Sequence, residues 1–173
     1  AEYQYGGFSG ANGAGPPLFA RANWNAPYVF DPSNSGIMYF GGERLFKSVT
    51  AGLNWTPVSR DLRNGQLGMN GVVFGTITTI AVSPTAGNVI WAGTDDGNVW
   101  HTANGGSTWT KVSTNLPKRW ISRLGADPYD ASTAYVCLSG YRQFDDLAHV
   151  YKTTDKGQNW TSISGNLPDI PVN

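Results

Sequence analysis

The side chains best suited to chemistry lie in one polar stretch, residues 140–149. It holds an arginine, two adjacent carboxylates, two aromatic rings and a histidine. Adjacent carboxylates offer oxygen ligands to a cation, although two alone are a weak calcium signal. Loops between strands commonly carry binding residues, so the stretch is interpreted either as a solvated loop that closes on itself or as a ligand site. In the second case its ligand-binding residues are Tyr141, Arg142, Asp145, Asp146 and His149.

Four tryptophans outside the repeats described below offer flat faces on which a sugar ring can stack. Trp91 and Trp100 lie within predicted strands, so we expect them in the core. Trp24 and Trp120 each stand at the start of a repeating unit, where we expect them to be exposed. These two rings and the loop at 140–149 form the predicted ligand-binding surface.

Composition narrows the class of protein. The 173 residues include 22 Gly and 10 Pro, only 14% are charged, and 12 basic residues balance 12 acidic ones. This composition excludes a coiled coil, a long helical bundle and a cationic nucleic-acid binder, and no apolar run approaches the roughly 20 residues that cross a bilayer. One cysteine and two distant histidines make no metal motif, so no metal and no cofactor is predicted. Few charges and many small polar residues favour an extracellular protein.

The chain repeats one eight-residue box three times, at residues 48–55, 102–109 and 153–160, with roughly 50 residues between copies. The third position of each box can accept backbone N–H groups and hold a turn, and the glycine permits a positive φ. The final tryptophan is expected to bury its ring against a neighbouring unit. The predicted structural residues are Ser48, Thr50, Gly52 and Trp55 in the first box, Thr102, Asn104, Gly106 and Trp109 in the second, and Thr153, Asp155, Gly157 and Trp160 in the third.

Each box sits within a unit of four predicted strands. A β-rich run precedes each box, at residues 37–41, 89–93 and 134–138, and these runs are aligned as equivalent. A four-stranded unit that repeats at about 50 residues is typical of a β-propeller blade. We therefore predict an all-β fold of three four-stranded antiparallel blades, either a partial propeller or one completed by association. The predicted divisions are a flexible Gly/Pro-rich arm at 1–23, blades at 24–70, 71–118 and 119–168, and the start of a next strand at 169–173.

The boxes resemble the Asp-box, or bacterial-neuraminidase repeat, with the pattern Ser/Thr-x-Asp-x-Gly-x-Thr-Trp. The third copy keeps the acidic residue as Asp155, whereas the first two carry Thr50 and Asn104. The resemblance implies a β-propeller of the kind found in sialidases, xyloglucanases, sortilin-like receptors and photosystem-assembly factors. The chain looks most like secreted bacterial repeat proteins of the sortilin-like or glycosyl-hydrolase-like type. Because fold alone does not give function, the resemblance leaves the activity open.

The resemblance to xyloglucanases also implies a candidate catalytic residue. That family carries a catalytic Asp in a Thr-Asp-x-Gly-Gly hairpin, and residues 94–97, Thr-Asp-Asp-Gly, are similar and map the role to Asp95. Asn98 replaces the second glycine, and the partner carboxylate of that family comes from a second domain. Asp-Gly is also a strong signal for a tight hairpin turn, so the turn is the simpler interpretation. No stretch matches a sialidase catalytic motif beyond the boxes.

Three hypotheses for function follow. The first is a secreted, non-catalytic propeller segment that serves as a scaffold or binds a polysaccharide or a protein. The alternative is part of a glycoside hydrolase with Asp95 as one carboxylate and its partner outside the chain. The third is self-assembly, in which other copies of the chain, or the rest of a larger propeller, cover the outer blades. None of the three involves nucleic acid.

Overall fold

The computed structural model of the chain describes residues 20–62 and 75–172. Alternating apolar and polar residues, rich in Val, Ile, Thr and aromatics, form strands throughout this part of the chain. The first sheet contains β1 (Tyr28–Asp31), β2 (Asn34–Gly41), β3 (Leu45–Ser48) and β4 (Thr56–Pro57). The second contains β5 (Ile77–Val82), β6 (Ile90–Thr94), β7 (Val99–Thr102) and β8 (Thr110–Lys111). The third contains β9 (Trp120–Ala126), β10 (Ala134–Ser139), β11 (His149–Thr153) and β12 (Thr161–Ser162).

Each sheet is antiparallel, and its four strands lie side by side in chain order. This is the arrangement of a propeller blade, so the predicted fold class is confirmed. The one helical element in the described residues is a single 3-10 turn at Tyr141–Gln143. No helix in that part of the chain is long and apolar enough to span a membrane. Most of the predicted arm and the junction between the first two units, residues 63–74, lie outside the described residues.

The three boxes close their turns in the same way. In the third box, Gly157 N donates to Thr153 Oγ1 and Asn159 N donates to Asp155 Oδ1, both at 2.9 Å. The second of these bonds is repeated from Thr108 N to Asn104 Oδ1 and from Asn54 N to Thr50 Oγ1, again at 2.9 Å. Threonine, asparagine and aspartate are interchangeable here because each places an oxygen at the same point. The bonds from Asn159 hold the pKa of the Asp155 carboxyl below its usual range.

The tryptophans of the second and third boxes join their sheets to the sheet before. Trp109 Nε1 donates to Val58 O at 2.9 Å, and Trp160 Nε1 donates to Val112 O at 2.7 Å. Val58 and Val112 are the residues that follow the fourth strands of the first and second sheets. The apolar core therefore consists of two layers, one between each pair of consecutive sheets.

The first strands of consecutive sheets also adjoin. Thr78 Oγ1 on β5 donates to Ile121 O on β9 at 2.6 Å, and Leu124 N on β9 donates to Thr79 Oγ1 on β5 at 3.1 Å. A side chain on Gly93, at the end of β6, would put its Cβ only 2.4 Å from Ile121 Cγ2. Glycine at this position thus allows β9 to approach the second sheet closely, and it sets the distance between the residues that frame the candidate site.

His101 is a titratable side chain buried in the layer between the second and third sheets. Its ring lies against Trp91, with 4.4 Å between ring centroids, and its Nε2 is buried without a hydrogen-bond partner. Burial, with a smaller contribution from the Lys156 charge, lowers the pKa of His101 to about 4. The folded protein therefore holds this imidazole neutral at pH values where the unfolded chain protonates it.

We expect the free energy of unfolding to fall by about 2 to 3 kcal/mol as the pH is lowered from about 6.5 to about 4. Between these pH values His101 is protonated in the unfolded state and neutral in the folded state. Above pH 6.5 the contribution of His101 to the free energy of unfolding is constant. Urea unfolding measured across the window should show this slope, and His101→Phe should remove it. Losses below pH 4 are separate, since the pKa of Asp145 is about 2. Parallel slopes for the two proteins between pH 6.5 and 4 would contradict the assignment to His101.

Candidate functional site

A cleft of about 430 Å³ opens where β5 and β9 meet the segment before β1. Its walls come from four separate parts of the chain: the approach to β1, the first strand of the second sheet, the first strand of the third sheet, and the loop after β10. The residues that give it chemical character are Trp24, Thr78, Trp120, Ser122, Tyr141 and Arg142. The structure thus gathers four of the seven predicted ligand-binding residues into one cleft.

The cleft offers aromatic surface at its rim. Trp24 is 79% exposed, and Tyr141 is also exposed. Trp120 is only partly exposed, contrary to expectation, because the Arg142 guanidinium lies over its ring, 4.8 Å from the centroid. This cation–π contact holds the arginine in place beside the rim. The rim therefore presents two open rings and one ring capped by a positive charge.

Trp24 is held at the rim by the residues around it. Asn23 is buried and donates from Nδ2 to Thr76 Oγ1 at 3.3 Å, and Asn25 N donates back to Asn23 Oδ1 at 3.4 Å. Two residues earlier, Arg21 donates to Gly75 O at 3.2 Å. The approach to β1 is therefore fastened to the start of β5, and the indole points outward from a fixed backbone.

The loop after β10 is folded back on itself by hydrogen bonds to a single backbone carbonyl. Gln143 N and Asp145 N both donate to Gly140 O, at 2.7 and 3.2 Å. A Cβ on Gly140 would lie 2.5 Å from Asp145 O, so glycine is needed for the loop to fold back on itself. His149 begins β11 and is not a loop residue, which corrects the predicted boundary.

Asp145 and His149, both predicted to bind a ligand, are engaged with the protein instead. Asp145 Oδ2 accepts from Arg119 Nε at 2.8 Å and lies 2.9 Å from His149 Nε2. The bonds from His149 and Arg119 lower the pKa of Asp145 to about 2. Arg119 directly precedes Trp120, so this ionic cluster braces the loop against the wall of the cleft. Asp146 is exposed and does not line the cleft.

Asp95, the candidate catalytic residue, lies outside the cleft lining and is only 3% exposed. Its Oδ1 accepts from Thr76 N at 2.9 Å and its Oδ2 accepts from Thr76 Oγ1 at 3.2 Å. Next to it, Asp96 accepts from Asn98 Nδ2 at 2.6 Å and from Thr94 Oγ1. Gly97 adopts φ +81°, as a tight turn requires. Asp96 therefore holds the hairpin together, and Asp95 ties it to the residue that directly precedes β5.

Sequence reasoning missed the hydrophilic side of the cleft. Thr78, Ser122 and Arg123 line it from the first strands, and Arg119 supports it from behind. Their positions in the sequence could have indicated them. Arg119, Ser122 and Arg123 lie within three residues of Trp120, and Thr78 lies on the equivalent strand of the preceding unit. Among residues 20–62 and 75–172, no three His, Cys, Asp or Glu side chains gather into a metal-binding group.

Comparison with known proteins places the chain near glycoside hydrolases. It is 34% identical over 93 residues to a probable oligoxyloglucan-reducing end-specific xyloglucanase of Neosartorya fischeri, covering 50% of this chain and 10% of that protein. It is 28% identical over 137 residues to a xyloglucanase of Hypocrea jecorina, covering 79% of this chain and 15% of that one. Among solved structures, a GH74 enzyme of Niastella koreensis superposes with a TM-score of 0.59 at 27% identity, covering 80% of this chain and 21% of the enzyme.

These matches cover only a small part of each relative, so the activity of the relatives does not transfer to this chain. The chain spans only 10% and 15% of the length of the two xyloglucanases. No family model matches the chain, so the resemblance of its boxes to the Asp-box remains a resemblance. The comparisons support a chain that is similar to a part of a glycoside-hydrolase-type propeller.

Proposed function

We propose that the chain is a non-catalytic, extracellular propeller module that binds a polysaccharide in the cleft beside Trp24. The observation that carries the proposal is the pairing of open aromatic rings with fixed polar groups. Trp24 and Tyr141 provide the rings, and Thr78 and Ser122 line the same cleft. Their hydroxyl groups donate to Ile121 O and Val172 O, which fixes the hydroxyl oxygens as hydrogen-bond acceptors for a ligand. Sugars are bound by such pairs because their C–H faces cover aromatic rings while their hydroxyl groups form hydrogen bonds.

The relatives suggest the first ligand to try. Two of them are xyloglucanases, so a β-glucan chain with xylose branches is the ligand class that we propose. An uncharged polysaccharide is also compatible with a chain of no formal net charge. The Arg142 guanidinium, capped on Trp120, is placed to donate hydrogen bonds to sugar oxygens.

We expect Trp24→Ala and Tyr141→Ala each to weaken xyloglucan binding at least tenfold, about 1.4 kcal/mol. Exposed aromatic anchors carry a large share of binding energy, and neither ring supports the core. Isothermal titration calorimetry or affinity electrophoresis measures the loss. Tyr129→Ala is the matched control, because Tyr129 is 89% exposed but lies outside the cleft. Equal losses in the control, or no binding of any β-glucan, would reject the cleft as a glycan site.

The hydrolase alternative is supported by the same two relatives. It requires Asp95 to act on a substrate, yet Asp95 is buried and bonded to Thr76. Reducing-end release from xyloglucan by the purified chain, abolished by Asp95→Asn, would favour this alternative over a binding module.

A further inference from the structure

Trp55, the tryptophan of the first box, makes a different contact from its two counterparts. Trp109 and Trp160 donate across to a carbonyl of the preceding sheet. Trp55 Nε1 donates to Gly52 O within its own box, at 2.9 Å. Gly52 shows the same difference: a Cβ there would meet only its own sheet, whereas one on Gly106 would meet Val58. In the described residues, the first box therefore has the tryptophan N–H that joins two sheets in the other boxes, but no carbonyl of a preceding sheet accepts it.

The sheet face around Trp55 is aromatic, and its outer rings are exposed. We call it the aromatic face, defined by Tyr28, Phe30, Phe40 and Trp55. Tyr28 and Phe30 are 46% and 61% exposed. Ring contacts link the cluster, with centroids 4.8 Å apart for Tyr28 and Phe40 and 5.8 Å apart for Tyr28 and Trp55. The residues in the same register positions of the second sheet, Ile80 and Val82, are buried against the first sheet.

The outer face of the third sheet carries the acceptor side of this contact between sheets. We call this surface the terminal face, defined by Tyr135, Lys152, Ile163 and Leu167. Ile163 and Leu167 are 45% and 47% exposed. Their counterparts in the first two sheets, Val58 with Leu62 and Val112 with Leu116, are buried or partly buried under the next sheet. Ile163 thus occupies the position whose carbonyl accepts a tryptophan in the other two sheets.

A repeated pair of side chains extends the match across the terminal face. Lys152 lies over the Tyr135 ring at 5.6 Å, as Lys47 lies over Tyr39 at 5.7 Å. Tyr39 is fully buried beneath the second sheet, whereas Tyr135 is only partly buried. The terminal face therefore carries the same lysine–tyrosine pair as the face of the first sheet, which the second sheet covers.

We propose that the aromatic face of one copy of the chain docks on the terminal face of a second copy, head to tail. Trp55 Nε1 then leaves Gly52 O and donates to Ile163 O of the second copy, as Trp109 donates to Val58 O. A second copy is the occupant because one chain presents both halves, and because 12 basic and 12 acidic residues leave no net charge to repel it. Such a contact joins two different surfaces, so it is heterologous, and copies joined in this way close into a ring or extend as a filament.

The described backbone near β1 and β9 is compatible with this contact. Residues 20–27 turn toward the second sheet, where Arg21 and Asn23 are bonded, and so lie away from an incoming copy. At the other end, Ser122 Oγ donates to Val172 O at 2.7 Å, as Thr78 Oγ1 donates to Ile121 O. Val172 therefore lies beside the start of β9, and the incoming β1 meets β9 beyond it, from Leu124 onward.

Sedimentation velocity of the full chain and of two variants tests the proposal. Phe30→Lys blocks the aromatic face and Leu167→Lys blocks the terminal face, and both residues are exposed, so each variant should fold. We expect the natural chain to form dimers or larger oligomers in a concentration-dependent way at micromolar levels and each variant to remain monomeric. An equal mixture of the two variants should give dimers and nothing larger, since one intact face remains on each partner.

Two further variants sharpen the outcome. Trp55→Phe keeps the ring but removes the N–H donor, and it should weaken association at least fivefold, because Ile163 O of the second copy would be buried without a hydrogen-bond donor. Tyr129→Lys, at an exposed site outside both faces, should associate like the natural chain. A natural chain that stays monomeric, or a mixture of the two blocked variants that stays monomeric, would overturn the proposal. Glycan binding at Trp24 is measured separately and does not bear on this result.

Discussion

Replacing Gly106 with alanine is expected to lower the free energy of unfolding by about 3 kcal/mol or more. Gly106 has φ +100°, and a Cβ there would lie 2.4 Å from Val58 O and 2.9 Å from Val58 Cβ. The obstacle is backbone that cannot easily move. Val58 O accepts from Trp109 Nε1 and Val58 N donates to Leu45 O. The methyl group would therefore push apart the first two sheets at the joint that connects them.

Gly105 provides the control for this prediction. It has φ +67°, but a Cβ there would meet nothing within 4 Å. Gly105→Ala should therefore cost only the strain of a positive φ, about 1 kcal/mol. Urea unfolding followed by tryptophan fluorescence gives both values. If the two variants lost similar amounts of stability, backbone strain alone would account for the glycine in the box, and the close contact with the first sheet would have no energetic role.

The boxes show why so much of the fold could be predicted from sequence. The turn of each box is a local structure: the hydrogen bonds within the box join residues at most four positions apart, as from Asn159 N to Asp155 Oδ1. Local contacts of this kind leave a pattern of residue types at fixed spacing. The tryptophan contact between sheets was also expected, because a large ring at a repeated position needs a repeated surface to cover it. Strand number and order followed from the repeat.

The alignment of the third repeat was one residue out. The prediction made Ala134 equivalent to the first residue of 37–41. In the structure Ala134 pairs with Thr153, as Met38 pairs with Ser48 and thus belongs one position later. Apolar and β-branched residue types recur along every strand, so similarity of residue type does not fix the alignment of a strand to a single position.

The candidate site was predicted in part for a related reason. Exposure of Trp24 followed from its position before the first strand, but the partial cover of Trp120 depends on Arg142. Likewise the sequence leaves the Asp145 carboxylate available for a ligand, whereas in the structure it contacts Arg119 and His149. Sequence shows which charges are present. Which of them meet is decided by the packing of one sheet beside the next.

Asp95 gives the sharpest distinction between a binding module and an enzyme. We expect Asp95→Ala to lower the free energy of unfolding by about 3 kcal/mol, because it leaves the buried Thr76 N–H and hydroxyl without the acceptor they share. Asp95→Asn should cost less, about 1 kcal/mol, since its side-chain oxygen can still accept from Thr76 N. A catalytic carboxylate is expected to behave in the opposite way, because active-site residues are commonly held at some cost in stability.

A double-mutant cycle with Thr76→Val identifies the contact behind this loss. Valine removes the hydroxyl that donates to Asp95 Oδ2 and keeps the shape of the side chain. If the pair acts as the structure shows, Asp95→Ala should cost about 1 kcal/mol less in the Thr76→Val background than in the natural chain. Additive losses, together with xyloglucan hydrolysis that disappears in Asp95→Asn, would instead indicate that this carboxylate serves a substrate. Asp95 would then be a catalytic residue held in a closed hairpin rather than a structural one.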